Sequence, residues 1–326
     1  MAVSIVTGLI AAVALQAVFE AAPSMETAFL QSAIVVGALS ALPYLLIGGF
    51  FRERRDFQAP RPRSFRQSTW AILRNRPFWI ALLLYWLAWL AIRVVEAVFA
   101  YYLVNWSGIS EADTAYVLAT ILASAALFLP LVGYLARRME KKWAFAACAA
   151  FWACLHLALW WVPRDMATPV YAIAFLAGLG VSAAHVLPNA MGADVLEVIE
   201  LETGERHEGV YGGVSASLQK LGTAIAILAI GWTLEWTGYV PGAREQTAAA
   251  LTGIRALTSW VPMVLIVGSA LLSASFPITR QAHRALTEEV NRRRLVRAGQ
   301  SPVRLDWLRA FCKRKGLPFS RGPSTA

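Results

Sequence analysis

The sequence predicts an all-α integral membrane protein with about eight transmembrane helices, and three observations predict it. The first is composition. Of 326 residues, 58% are apolar and only 15% charged, with a mean hydropathy of +0.53, whereas soluble domains carry about 25% charged residues. The second is length. Eight hydrophobic runs, near 2–20, 28–51, 78–104, 115–136, 143–162, 170–190, 209–235 and 254–276, reach the ~20 residues that a helix needs to cross ~30 Å of hydrocarbon. The third is the spacing of basic charge. Lys and Arg number eight in 52–76, four in 137–142, one in 192–208 and twelve in 277–326, which is 25 of the 30. That alternation follows the positive-inside rule and predicts both termini on the cytoplasmic side of a plasma (bacterial inner) membrane.

In chain order, the first run lacks a charged start and its apolar stretch exceeds the 7–15 residues of a signal peptide, so it reads as a span, as does 28–51. The segment "RERRDFQAPRPRSFRQSTWAILRNRP", 52–77, is charged and holds three prolines. It predicts a cytoplasmic linker with a short amphipathic helix near 64–74. The linker divides two spans from six, and six is half of a twelve-helix secondary transporter. The six spans occupy 78–276. The basic stretch 277–326 reads either as a solvated tail or, through "RQAHRALTEEVNRRRLVRAGQ", as a segment that binds anionic membrane lipid. The basic charge is thereby a topology signal, and nucleic acid is not an expected partner. Thirteen Trp and nine Tyr suit the bilayer interfaces. Three scattered cysteines form neither a disulfide framework nor a zinc site.

Ionisable and polar groups inside spans face a protein interior or a water-filled cavity. In the third run Tyr85, Trp89, Arg93, Glu96 and Ala100 recur at steps of four, four, three and four, one face of a helix. Arg93 and Glu96 pair there either to lock helices together or to form a cavity wall with an aromatic platform. In the sixth run Gly178, Ser182, His185, Asn189 and Gly192 form a small and polar stripe, with Pro188 inside it. It is either a packing seam or a cavity lining. No second His, Cys or carboxylate stands at ligand spacing, so no metal is expected. In the seventh run Lys220 sits among Gly213, Ala216, Ser217, Thr223 and Ala224. On so small a face the lysine is expected to point at another helix, as a structural partner for a carboxylate or as a charge coupling substrate to an ion. A phosphate loop is absent, and "HEGVY" at 207–211 lacks the second histidine of a zinc protease. The protein is not expected to be an enzyme, and no cofactor is expected.

The stretch "MGADVLEVIELETGERHEGVYGG", 191–213, carries six acids against one base in a chain of net charge +10. With "NA" before it and "VSASLQKLG" after it, it resembles the signature of the glycoside–pentoside–hexuronide:cation symporters, the melibiose-carrier branch of the major facilitator superfamily. The matching positions are Ala193-Asp194, Glu197, Glu200, Thr203-Gly204-Glu205-Arg206, Glu208-Gly209, Tyr211-Gly212 and Lys220. "NRPFWIALL" (75–83) is similar to that family's entry into its seventh helix. "GYVPG" (238–242) and the run to residue 279 are similar to its exit into the twelfth. "GYLARRMEKK" (133–142) resembles a superfamily loop motif but has Arg137 for its usual Asp and Glu140 for its second Gly.

The resemblance covers about 1–280 and implies helices five to twelve of a major facilitator fold: 1–51 as the last two helices of an N-terminal half, and 78–276 as a complete C-terminal half. It implies symport of a glycoside, sugar or lysolipid-like small molecule with Na⁺ or H⁺ by alternating access. Lys220, Arg93, Glu96, His185 and Asn189 then line the cavity beside Tyr85, Trp89 and Ser182. Asp194, Glu197, Arg206 and Glu208 belong to a cytoplasmic loop that either is simply solvated, its ion pairs worth under about 1 kcal/mol each, or latches on the arginines of 52–66 or on the basic tail. The family's principal cation-binding carboxylates fall in helices this sequence lacks. The expectation is therefore an N-terminally truncated symporter. The alternative is a non-transporting remnant or interaction partner. Small surfaces at Ser4, Gly8, Ala11, Ala12 and Gly37 call for a bundle that supplies the missing helices.

Overall fold

The computed structural model describes residues 23–50, 72–73, 75–203, 208–243 and 245–297, and among these there is no strand. The chain divides into two compact units, Met1–Arg63 and Ser64–Ala326.

In the first unit, α1 spans Met25–Phe50. Its 26 residues extend about 39 Å at 1.5 Å per residue, enough to cross a bilayer. Ser24 and Thr27 exchange side-chain to backbone bonds at its start, Ser24 N to Thr27 Oγ1 at 3.1 Å and Thr27 N to Ser24 Oγ at 3.3 Å. Gly37 is exposed with open space beside it. The run 2–20, with Ser4, Gly8, Ala11 and Ala12, lies outside the described residues. So does the expected helix near 64–74, except for Ile72 and Leu73, which are helical.

In the second unit the helices are α2 (Arg76–Asn105), α3 (Glu111–Arg138), α4 (Lys141–Leu159), α5 (Ala167–Thr203), α6 (Glu208–Trp236), α7 (Ala248–Ala274) and α8 (Arg280–Arg297). The first six of these are long and apolar enough to cross a membrane. Their ends follow local chemistry. Asn75 caps α2 by accepting from Phe78 N at 3.2 Å, Ser110 caps α3 from Asp113 N at 3.1 Å, and Thr247 caps α7 from Ala250 N at 3.1 Å. Acids in the first turn of α3 and arginines in its last suit the helix dipole.

α2 is the hub. It packs along α7 and also against α6 and α5, while α4 packs on α7 and α5, and α3 on α5. Close approach depends on small residues, and Gly178 and Gly180 show where. Gly178 lies against Ser124 and the backbone of Ala125, and Gly180 against the Trp152 indole, so that a Cβ at either would collide. Gly178→Val should lower the melting temperature in detergent by an amount equivalent to about 1–3 kcal/mol, the usual effect of overpacking a tight contact. An unchanged melting curve would show that the seam between α3 and α5 can open.

Two expectations need correction. The sixth run does not end near residue 190 in an acidic loop: α5 continues as one helix of 37 residues to Thr203. The reason is that Val195, Val198, Ile199 and Leu201 are buried in the core, while Glu197 and Glu200 stay partly open, so the stretch packs as an amphipathic helix. Nor are residues 280–297 part of a plain solvated tail, and 298–326 lie outside the described residues. Residues 280–297 form α8, which packs on α5 through buried Ala282, Ala285 and Leu286.

Candidate functional site

A connected polar and aromatic wall runs along α2 and meets α5 and α6. The Tyr85 and Trp89 rings lie edge to face with centroids 6.0 Å apart, and the Arg93 guanidinium sits 4.9 Å from the Trp89 ring centre. Arg93 Nη1 donates to Glu96 Oε2 at 2.5 Å, and both side chains remain open, at 36% and 53% exposure. Exposure of that order makes the pair worth under about 1 kcal/mol as a lock. From α5, His185 stands edge-on to Trp89 at 5.0 Å. Its Nδ1 lies 2.8 Å from the Val181 carbonyl. A carbonyl can only accept, so Nδ1 carries a proton and the orientation of the ring is fixed. From α6, Gln219 donates to the Tyr85 hydroxyl, and Trp86 Nε1 donates to the Leu218 carbonyl at 2.8 Å. Gly222 leaves room for Trp86 at that crossing.

Sequence periodicity missed Gln219. Its signal was a polar amide beside Lys220 in an apolar run, but only the crossing of α6 over α2 places it on Tyr85.

The stripe on α5 divides between its two readings. Gly178 and Gly192 are packing contacts, the latter against the Tyr211 hydroxyl end. Ser182 is buried, and among the described residues its Oγ has no hydrogen-bond partner, as is also true of Trp89 Nε1. His185 meets the wall at Trp89, and the exposed Asn189 donates from Nδ2 to the His185 carbonyl at 2.7 Å.

Lys220 does not point at another helix of the unit. It is exposed on α6 beside the exposed Gly213, Ala216, Ser217 and Ala224, with neither a hydrogen bond nor an ion pair among the described residues. The face was expected to be small because it packs, yet within this unit it stays open.

The second cluster lies at the end of the bundle that carries α8. Asp194 is only 3% exposed and accepts from Lys141 Nζ, at the start of α4, at 2.7 and 2.8 Å. Lys141 also donates to the Ala190 carbonyl at 3.3 Å. His283 of α8 brings Nδ1 to 3.2 Å from Asp194 and 3.6 Å from Glu197, without hydrogen-bond alignment to either. Thr287 Oγ1 donates to Glu197 Oε2 at 3.0 Å. Arg280 caps the end of α3 by donating to the Ala136 carbonyl at 2.9 Å and to the Met139 carbonyl. On α8 itself Arg292 pairs with Glu289 at 2.7 Å, and this bond raises the already high pKa of the guanidinium. Asp194 and Glu197 therefore pair with α4 and α8, and Lys141 does more than set topology. Glu208 stands exposed in the first turn of α6. Arg206 and the arginines of 52–66 lie outside the described residues.

Residues 1–280 match the MFS/sugar transport protein family. The chain belongs to that family. It is an integral membrane member, with six helices of the second unit apolar enough to span. An uncharacterized symporter of Synechocystis sp. is 30% identical over 224 residues, 67% of this chain and 41% of that one. The sodium-dependent lysophosphatidylcholine symporter 1-B of Danio rerio is 25% identical over 272 residues, 81% of this chain and 52% of the relative. A glucuronide carrier protein homolog of Escherichia coli K12 is 26% identical over 237 residues, 72% of this chain and 51% of the relative. The chain thus spans about half the length of the curated relatives it matches. The family match ends at residue 280, the first residue of α8, so the clamp made by His283 and Thr287 on α5 is built largely from sequence beyond the matched region.

Proposed function

We propose that this chain forms the C-terminal wall of the solute path in a secondary transporter of the melibiose-carrier branch, with both termini cytoplasmic. The solute is a glycoside, a sugar or a lysolipid-like small molecule, moved with Na⁺ or H⁺ by alternating access. One observation carries the reading. Tyr85, Trp89, Arg93 and Glu96 form a linked, partly open stripe, joined to His185 and Gln219 from two other helices and close in sequence to the exposed Lys220. A face of aromatic plates and hydrogen-bonding groups suits a polar solute, which stacks on the indole and exchanges water for side-chain partners. An open charged pair inside a membrane span is expensive unless it faces such a path. The names of the relatives, a glucuronide carrier homolog and lysophosphatidylcholine symporters, support a small solute with a polar or charged head.

At the end that carries α8, the Asp194–Lys141–His283 cluster serves as the cytoplasmic brace of the bundle, with Glu197 and Thr287 beside it. Alternating access moves one bundle as a body against another, and a brace that ties α4, α5 and α8 together keeps this one rigid.

The test is uptake by proteoliposomes holding the 326-residue chain, with a glucuronide, a galactoside and lysophosphatidylcholine as labelled solutes under inward Na⁺ or H⁺ gradients. Uptake above protein-free liposomes that collapses with the gradient is the expected result. Equal uptake with and without protein for every solute and both ions would overturn the reading for this chain.

A further inference from the structure

At the end of the bundle opposite α8, one guanidinium is held in an unusual setting. Arg255 stands on α7, and its Cζ lies 4.1 Å from the Trp106 ring centre and 4.3 Å from that of Trp160. These two indoles close α2 and α4 as their C-cap residues, so the guanidinium is packed against two aromatic rings. The indoles are themselves fixed. Trp106 Nε1 donates to the Val162 carbonyl at 2.9 Å, the Asp165 amide donates to the Trp106 carbonyl at 2.9 Å, and Trp160 meets Trp260 edge to face at 6.0 Å. One nitrogen, Nη2, donates to the Trp160 carbonyl. Nε is sealed in the packing with no hydrogen-bond partner. Nη1 makes no hydrogen bond among the described residues and is not sealed, and the residue as a whole is half-buried.

The charge has no acid to match it. Among the described residues no carboxylate pairs with Arg255, and the acid in the adjoining loop, Asp165, lies 3.8 Å from Arg164 instead. Burying a cation without a counter-charge is costly, and two indole faces offset only about 1–2 kcal/mol each. The exposed rim is of a kind found at bilayer interfaces, with Trp161 64% and Trp260 41% exposed. A guanidinium packed against two indoles still presents its open edge to a ligand, and the Nη1–Nη2 edge matches two oxygens of a phosphate.

We propose that Arg255 anchors an oxyanion subsite at this end of α2, α4 and α7, and that its ligand is the phosphate of a membrane phospholipid. The glycerol and acyl chains then lie along Trp260 and Trp161, and the phosphate meets the open edge of the guanidinium. This site lies at the opposite end from the Asp194 cluster and does not depend on the transport reading.

The experiment uses the full chain, purified in detergent and stripped of lipid. It is titrated with phosphatidylglycerol and with a diacylglycerol of the same acyl chains, and bound lipid is read by native mass spectrometry. The unmodified chain should retain phosphatidylglycerol about tenfold more tightly than the diacylglycerol, the scale of one charge-assisted bidentate contact. Arg255→Lys keeps the charge and loses the fork, and it should remove most of that difference while leaving diacylglycerol binding unchanged. Arg255→Gln should remove all of it. If the glutamine variant fails to fold, the lysine variant decides. Equal retention of the two lipids by the unmodified chain, or retention by Arg255→Lys equal to that of the unmodified chain, would overturn the site. Displacement of phosphatidylglycerol by inorganic phosphate at matching concentrations would overturn the lipid assignment and leave a site for soluble oxyanions.

Discussion

Replacing Lys220 with methionine should lower gradient-driven uptake at least about tenfold while leaving the protein as stable as before or more so. The two halves of this expectation come from the same fact. Lys220 is an exposed ammonium in the middle of α6, with no hydrogen bond or ion pair among the described residues. Insertion scales assign a lysine near the centre of a span about 2.5–3.5 kcal/mol against it, so methionine removes a burden on insertion and folding. A tenfold loss in rate is only about 1.4 kcal/mol of transition-state stabilisation, which a single charge contact to a solute or a coupled carboxylate readily supplies. A lysine that merely stabilised the bundle would move the other way, and Lys220→Met would then melt lower. Uptake should be partly restored in Lys220→Arg, which keeps the charge on a longer side chain. Uptake equal to that of the unmodified chain in Lys220→Met would remove the residue from the solute path.

The second large effect concerns the brace. Lys141→Met leaves the Asp194 carboxylate, 3% exposed, without its two closest contacts, those at 2.7 and 2.8 Å. Removing one partner of a buried pair costs about 3–5 kcal/mol, because an uncompensated charge stays behind. His283 remains nearby, but its Nδ1 is not aligned for a hydrogen bond with Asp194, so it replaces little of what is lost. Lys141→Met should therefore melt well below the unmodified chain. Asp194→Asn should be milder, because the lysine left behind is one-third exposed and keeps its contact with water. The double variant Lys141→Met with Asp194→Asn should recover much of the loss, as neither charge is then stranded. Additive losses in the double variant would show that the two residues act separately and that the brace is not a pair.

Much of the fold was legible in the sequence. The six runs from 78 to 276 correspond to α2 through α7 within a few residues at most ends, because a membrane forces each span to satisfy its own backbone and to be apolar for about 20 residues. Steps of three and four placed Tyr85, Trp89, Arg93 and Glu96 on one face, and the structure joins them into one chain of contacts. The acidic stretch was not legible as helix. Charge density marks a surface, and a helix with one charged face resembles a loop until its other face is seen to pack. The same reason hid α8, whose buried Glu289 and Leu286 sit in a sequence that reads as polar throughout.

The sequence by itself determined that this is a membrane protein of the MFS/sugar transport family, roughly where the six spans of 78–276 lie and which ionisable groups lie inside them. Those properties depend on composition and on spacing along one helix, which a linear pattern records. Only the tertiary structure decided what each of those groups meets. Gln219 reaches Tyr85, Lys141 reaches Asp194, Arg255 packs against Trp106 and Trp160, and Lys220 makes no hydrogen bond or ion pair among the described residues. Each of these depends on how two helices cross, and crossing is set by the shapes of both surfaces together, which neither segment encodes without the other.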